Sequence, residues 1–229
     1  MMNKFILLHV LVMILSSWLW VIVQRNILVG LLVFVLSIVL FIYFRQSRPK
    51  KIRLLLLILN IVLIIIVFKQ AFDQSIFRNS ALDIQKYYRR HEFYANGLGK
   101  IYTNRFTLAY FKDYNLPLSK LQHNFFANLD PNLYFFASHP RERAGINEFE
   151  KFPSLYFIFF IAGIIYILQL QPVLAMFYLL VAVLVNGLIS PAFNFGPLLL
   201  FPFVMTLIAL GLTYLLIIFK YIFKKIQRT

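Results

Sequence analysis

The chain of 229 residues is 61% hydrophobic and only 14% charged, against roughly 45–50% and 25% in ordinary globular proteins, which excludes both a soluble fold and a disordered one. Its 23 Lys and Arg outweigh 8 Asp and Glu for a formal net charge of +15, and with so little polar surface that charge must gather outside the lipid. There is no cysteine, so disulfide frameworks, thiolate metal sites and thiol catalysis are excluded, and the apolar runs leave no room for a large water-soluble catalytic domain.

A hydrocarbon core about 30 Å thick needs about 17 to 25 apolar residues in a helix. Six stretches meet that length, at residues 5–23, 27–44, 52–68, 152–170, 173–189 and 195–219. The first also invites a reading as a secretory signal peptide, because Asn3 and Lys4 precede an apolar run and Ser16 and Ser17 are small. No A-x-A-like site follows and the run continues through Trp18 to Val23, so a membrane span is the better reading. The next separators are Gln24, Arg25 and Asn26, then a basic run over residues 45–53. Within the spans the polar residues are His9, Asn60, Gln169 and Asn186. His9 is read as interfacial and Asn60 as an interhelix hydrogen bond rather than a substrate contact. No charge sits at a span centre, which disfavours a pump or secondary transporter.

Residues 69–151 form the long polar segment after the third span. Rings recur among its charges, including Tyr87, Tyr88, Phe93, Tyr94, Phe125, Phe126, Tyr134 and Phe135, a mixture suited to the head-group layer. Between Pro117 and Leu129 the helical period groups Leu118, Leu121, Phe125, Phe126 and Leu129 on one face and Lys120, His123 and Asn124 on the other, which predicts an interfacial helix. A second, less regular helix is predicted over residues 70–94, with Asn96-Gly97 and Gly99 as its break. Before the fourth span come His139, Arg141, Glu142 and Arg143, then Glu148, Glu150 and Lys151. Two guanidinium groups there suit bidentate capture of a lipid phosphate; a charge network with the three glutamates is the ordinary alternative. His139 and Glu142 would share a metal only on a helix, which Pro140 opposes. No metal site or cofactor is evident, and a divalent-metal requirement is left unspecified.

The last spans are separated by Gln171-Pro172 and by Ser190-Pro191, and Lys220, Lys224, Lys225 and Arg228 follow the sixth. Lys4, Arg45, Arg48, Lys50, Lys51, Arg53 and these tail residues lie on one side with no acid among them. That side is cytoplasmic by the positive-inside rule, so both termini are expected in the cytoplasm and the long segment outside. The basic run of nine residues between two spans is topogenic, and nucleic acid is not an expected partner. The fold class is therefore an all-α integral membrane protein: six transmembrane helices with a helical, membrane-surface-lying external segment between spans three and four. It divides into a three-span bundle at 1–68, the external segment at 69–151, and a three-span bundle with a basic tail at 152–229.

The stretch Asn124-Phe-Phe-Ala-Asn-Leu-Asp-Pro-Asn-Leu-Tyr-Phe-Phe136, then His139-Pro-Arg-Glu-Arg-Ala-Gly145, then Glu150-Lys-Phe-Pro153, resembles the middle of bacterial GT-C-type membrane glycosyltransferases. Asn186-Gly-Leu-Ile-Ser-Pro191, with Gly196-Pro197 and Phe201-Pro202, resembles their last external turn. The resemblance covers about half the chain, from Tyr94 onward. It implies a polytopic protein of the plasma (inner) membrane that handles a polyprenyl-phosphate-linked sugar on the external face. Arg141, Arg143 and His139 would lie near the carrier phosphate, Glu150 and Asn194 near the sugar or acceptor, and Tyr134 and Phe135 in the pocket wall or in ordinary packing. The family's catalytic acid lies in the first external loop, which here is only Gln24-Arg25-Asn26. Catalysis by this chain alone is therefore not expected unless Asp73, Asp83 or Asp130 supplies the base. A reduced or accessory module, with a partner membrane subunit, is the reading this implies; a non-enzymatic scaffold docking a partner through the external segment is the alternative.

Overall fold

The computed structural model describes residues 2–45, 50–74, 81–99, 104–110, 114–136, 151–189 and 195–227, and every regular element among them is a helix. In chain order these are α1 (Met2–Ile14), α2 (Ser17–Arg25), α3 (Ile27–Arg45), α4 (Lys50–Gln74), α5 (Ala81–Leu98), α6 (Arg105–Ala109), α7 (Asn115–Leu129), α8 (Asn132–Phe135), α9 (Tyr156–Leu170), α10 (Pro172–Asn186) and α11 (Leu200–Ile226). Among the described residues three helices are long and apolar enough to cross a membrane, Ile27–Arg45, Lys50–Phe72 and Leu200–Ile226. A fourth crossing results if the bent pair α1–α2 counts as one. α9 and α10 are apolar but have only 15 residues each.

The centre of the molecule is the first half of α11, where every side chain from Leu200 to Gly211 is buried. α9 lies along it at backbone contact: a Cβ added at Gly163 would strike the Leu207 carbonyl, and one at Gly211 would strike the Phe159 carbonyl. Small residues let two helix backbones approach this closely in a medium that offers no hydrophobic drive for association. α3 and α1 cover other sides of α11, and α4 packs outside α3.

The first apolar stretch, expected as one span, is two helices bent by 69° at Leu15-Ser16. No Pro or Gly marks the break; a pair of serines does, and several backbone groups freed nearby find partners outside the helix. The Trp18 amide donates to the Lys151 carbonyl at 3.3 Å instead of continuing the helix, and the Ser16 and Ser17 hydroxyls donate to the same carbonyl at 3.1 and 3.2 Å. The Ile14 carbonyl accepts from the Trp20 indole at 2.7 Å. The turn into α3 is equally closed, with the Asn26 side chain accepting from the Leu28 and Val29 amides.

Three other expectations are revised. His9, expected near the interface, is fully buried within the protein: its Nε2 lies 3.0 Å from the Ser37 hydroxyl and its ring stacks on Phe41. The helix expected over 70–94 is instead the end of α4 followed by α5, and α5 runs through Asn96 and Gly97 to Leu98 before Gly99 turns at a φ of +54°. The helix expected from Pro117 to Leu129 is present as α7, but the face it turns inward carries Asn124 and Asn128. The reading of Asn60 holds, since its Oδ1 accepts from the Tyr178 hydroxyl at 3.0 Å and ties α4 to α10.

Candidate functional site

His139, Arg141, Arg143, Glu150 and Asn194 all lie outside the described residues. Their immediate neighbours do not. Lys151, next to Glu150, is buried; its ammonium donates to the Leu133 carbonyl at 3.0 Å and stands 5.6 Å from the centre of the Trp18 ring. Phe195, next to Asn194, accepts the Trp18 indole N–H on its carbonyl at 2.8 Å. One tryptophan, set at the start of α2 by the bend, therefore joins the chain before the fourth apolar stretch to the start of the sixth.

Around that tryptophan the rings form a continuous cluster. Trp18 meets Phe201 edge-on at 4.8 Å and Phe152 at 5.8 Å, and Phe135 lies 5.7 Å from Phe152. Tyr134 and Phe135 thus belong to packing among the described residues, the former donating its hydroxyl to the Asn128 carbonyl at 2.7 Å. Burial, with Asp130 nearby, holds the Tyr134 hydroxyl well above the ordinary phenol range, so it remains a neutral donor. The Phe152 amide donates to the Tyr134 carbonyl at 3.0 Å, fixing α8 beside the approach to α9.

Beside Phe195 opens a cleft of about 560 Å³. Leu28, Val29 and Leu32 of α3 and Val62 and Ile66 of α4 make its walls, and Asn26, Lys69, Gln70 and Phe195 complete the lining. The spacing explains the shape: positions 28, 29 and 32 share one face of α3, and 62, 66, 69 and 70 share one face of α4. Lys69 is exposed, while Gln70 is buried with neither amide atom hydrogen-bonded among the described residues. A buried amide in that state costs free energy of about 1–3 kcal/mol per group, so the position favours a bound polar partner. Apolar walls with a cation and two amides suit an amphiphile whose anionic head meets Lys69 while its tail lies between α3 and α4.

The possible bases fall elsewhere. Asp130 is exposed and its carboxylate accepts from the Asn132 amide at 2.9 Å, a local turn contact. Asp73 lies in the last turn of α4 and Asp83 in the first turn of α5. Among the described residues no three or more His, Asp or Glu side chains gather around one point as metal ligands would. Lys69, Gln70 and Trp18 were not singled out from sequence. The available signal for the first two was a cation and an amide directly after the apolar run of residues 52–68, on the helical face that carries Val62 and Ile66. Comparisons with protein-family models, with curated proteins and with solved structures found no match to this chain.

Proposed function

We propose that this chain is a reduced relative of the polyprenyl-phosphate-dependent membrane glycosyltransferases, binding the carrier lipid at its external face as an accessory subunit or one half of a split enzyme. On this reading it crosses the plasma (inner) membrane six times with both termini in the cytoplasm. The bent pair α1–α2, then α3, α4, α9, α10 and α11 supply the crossings, and residues 69–151 rest against the outer surface. Arg141 and Arg143 grip the carrier phosphate, with His139 beside them, and Glu150 and Asn194 face the sugar or acceptor.

The observation that carries the reading is the convergence of Lys151 and Phe195 on Trp18. Glu150 and Asn194, far apart in sequence, are thereby each one residue from a position held by the same ring. The cleft beside Phe195 adds support, because its apolar walls suit an isoprenoid chain and Lys69 suits a phosphate.

The test is mass spectrometry of lipids retained by the purified protein. Wild type is expected to carry polyprenyl phosphate, Lys69→Ala to carry less, and the double variant Arg141→Ala/Arg143→Ala to carry none. Unchanged lipid in the double variant overturns the proposal.

One observation favours the alternative, a scaffold that docks a membrane partner through its external segment. α5 presents Leu82, Tyr88, Phe93 and Leu98 in exposed positions beside Arg89 and Arg90, the mix of rings and arginine enriched at protein interfaces. A stable complex recovered with α5 intact, and lost on replacing Tyr88 and Phe93 with Ser, would favour that reading.

A further inference from the structure

The helix α7 packs Phe125 on the core but also turns two amides inward and leaves several apolar side chains exposed. Its inward side carries Asn124 and Asn128, which are 7% and 2% exposed, while Leu118, Phe126 and Leu129 are 47%, 60% and 43% exposed. In water the arrangement would be reversed, because burying asparagine while exposing leucine and phenylalanine forfeits apolar burial and desolvates amides.

The inward asparagine has a specific task. α7 packs on α10, and the Asn124 Nδ2 donates to the Gly187 carbonyl at 3.1 Å. Gly187 is the C-cap of α10, where helix carbonyls lack partners within their own helix. A carbonyl left open there is tolerable in water and not in hydrocarbon, which supplies no donor. α10 likewise exposes Phe177, Leu180 and Leu184. Both α9 and α10 have 15 residues, roughly 22 Å at 1.5 Å each, so an apolar layer of about 30 Å extends past their ends. α7 sits at one such end.

We infer that α7 is sunk into the acyl-chain zone of one leaflet, with Leu118, Phe126 and Leu129 against lipid tails and Asn124 sealing the carbonyl end of α10. Gln122 and His123 are exposed on the same outer side, which sets the depth just beneath the head groups rather than near the bilayer centre. The surface is one for lipid tails, and it stands whether or not a carrier lipid binds at the α3–α4 cleft.

The absence of native cysteine makes the test direct. Single variants L118C, F126C and L129C are labelled with an environment-sensitive fluorophore in phosphatidylcholine nanodiscs, with F177C as the lipid-facing reference and K225C as the polar one. Lipids spin-labelled high on the acyl chain are expected to quench the three α7 positions to within about twofold of F177C, and at least about fivefold more than K225C. Strong quenching by aqueous iodide at all three overturns the inference in favour of a solvated helix. Shielding from both quenchers overturns it too, by showing that protein covers the face.

Discussion

α4 and α11 are both long, apolar and free of charge through their middles, yet 11% of the apolar window of α4 is buried against 67% of that of α11. Leucine content does not separate them; small and hydroxylated residues do. α11 carries Thr206, Ala209, Gly211 and Thr213 in its buried half, and these let neighbouring backbones close in. α4 carries Leu54, Leu55, Leu57, Ile58 and Ile65 in exposed positions, where lipid solvates them as well as protein does. In a bilayer, apolarity decides that a helix is inserted, and size and polarity decide whether it is central.

The largest expected effect tests that distinction head-on. Gly211→Leu puts a branched side chain into the Phe159 carbonyl and pushes α9 from α11, so the variant should lose about 3 kcal/mol or more, or fail to accumulate folded. Leu57→Ala, on the exposed side of α4, should change stability by less than about 0.5 kcal/mol, because it opens no cavity. Thermal unfolding in the same detergent compares the two, and equal losses would break the contrast between central and peripheral helix.

An intermediate effect is expected at Trp18, which packs on the start of α11 through Phe201. Trp18→Phe keeps a ring in the cluster but removes the indole donor to the Phe195 carbonyl. The expected cost is about 1–3 kcal/mol, from the partly buried carbonyl left without its donor and the space left by the smaller ring. If the melting temperature does not move, the junction of α2, α11 and Phe195 contributes less than its burial implies.

How much of this was legible in the sequence follows the same division. The helices were, because runs such as residues 27–44 and 52–68 leave no other structure in lipid, and the end of α7 was, because Asp130-Pro131 stops it, whereas its start at Asn115 lies two residues before the expected Pro117. The bend at Ser16 was not, since its cause is a carbonyl at Lys151, 135 positions away. The inward face of α7 was not, since the period of an amphipathic helix gives its apolar stripe but not the solvent that stripe faces. The α3–α4 cleft was missed for a related reason: Asn26, Lys69 and Gln70 read as span ends, and only the packing of two helices brings them around one volume.

A smaller effect than at Trp18 is expected where α4 is tied to α10. Tyr178→Phe deletes the hydroxyl that donates to Asn60 Oδ1 across to α10 and changes little volume. In water-soluble cores such a deletion strands an acceptor, yet interhelix hydrogen bonds within membranes average only about 0.6 kcal/mol, because the separated helices also find partners. Asn60 keeps one of its own, since its Nδ2 donates to the Leu56 carbonyl at 2.8 Å whether or not Tyr178 is present. A loss near 0.6 kcal/mol fits a helix held mainly by lipid and by contact with α3. A loss approaching that of Gly211→Leu would mean that this bond fixes α4 in place, and that a helix exposed along most of its apolar length is nonetheless specified by a single polar contact.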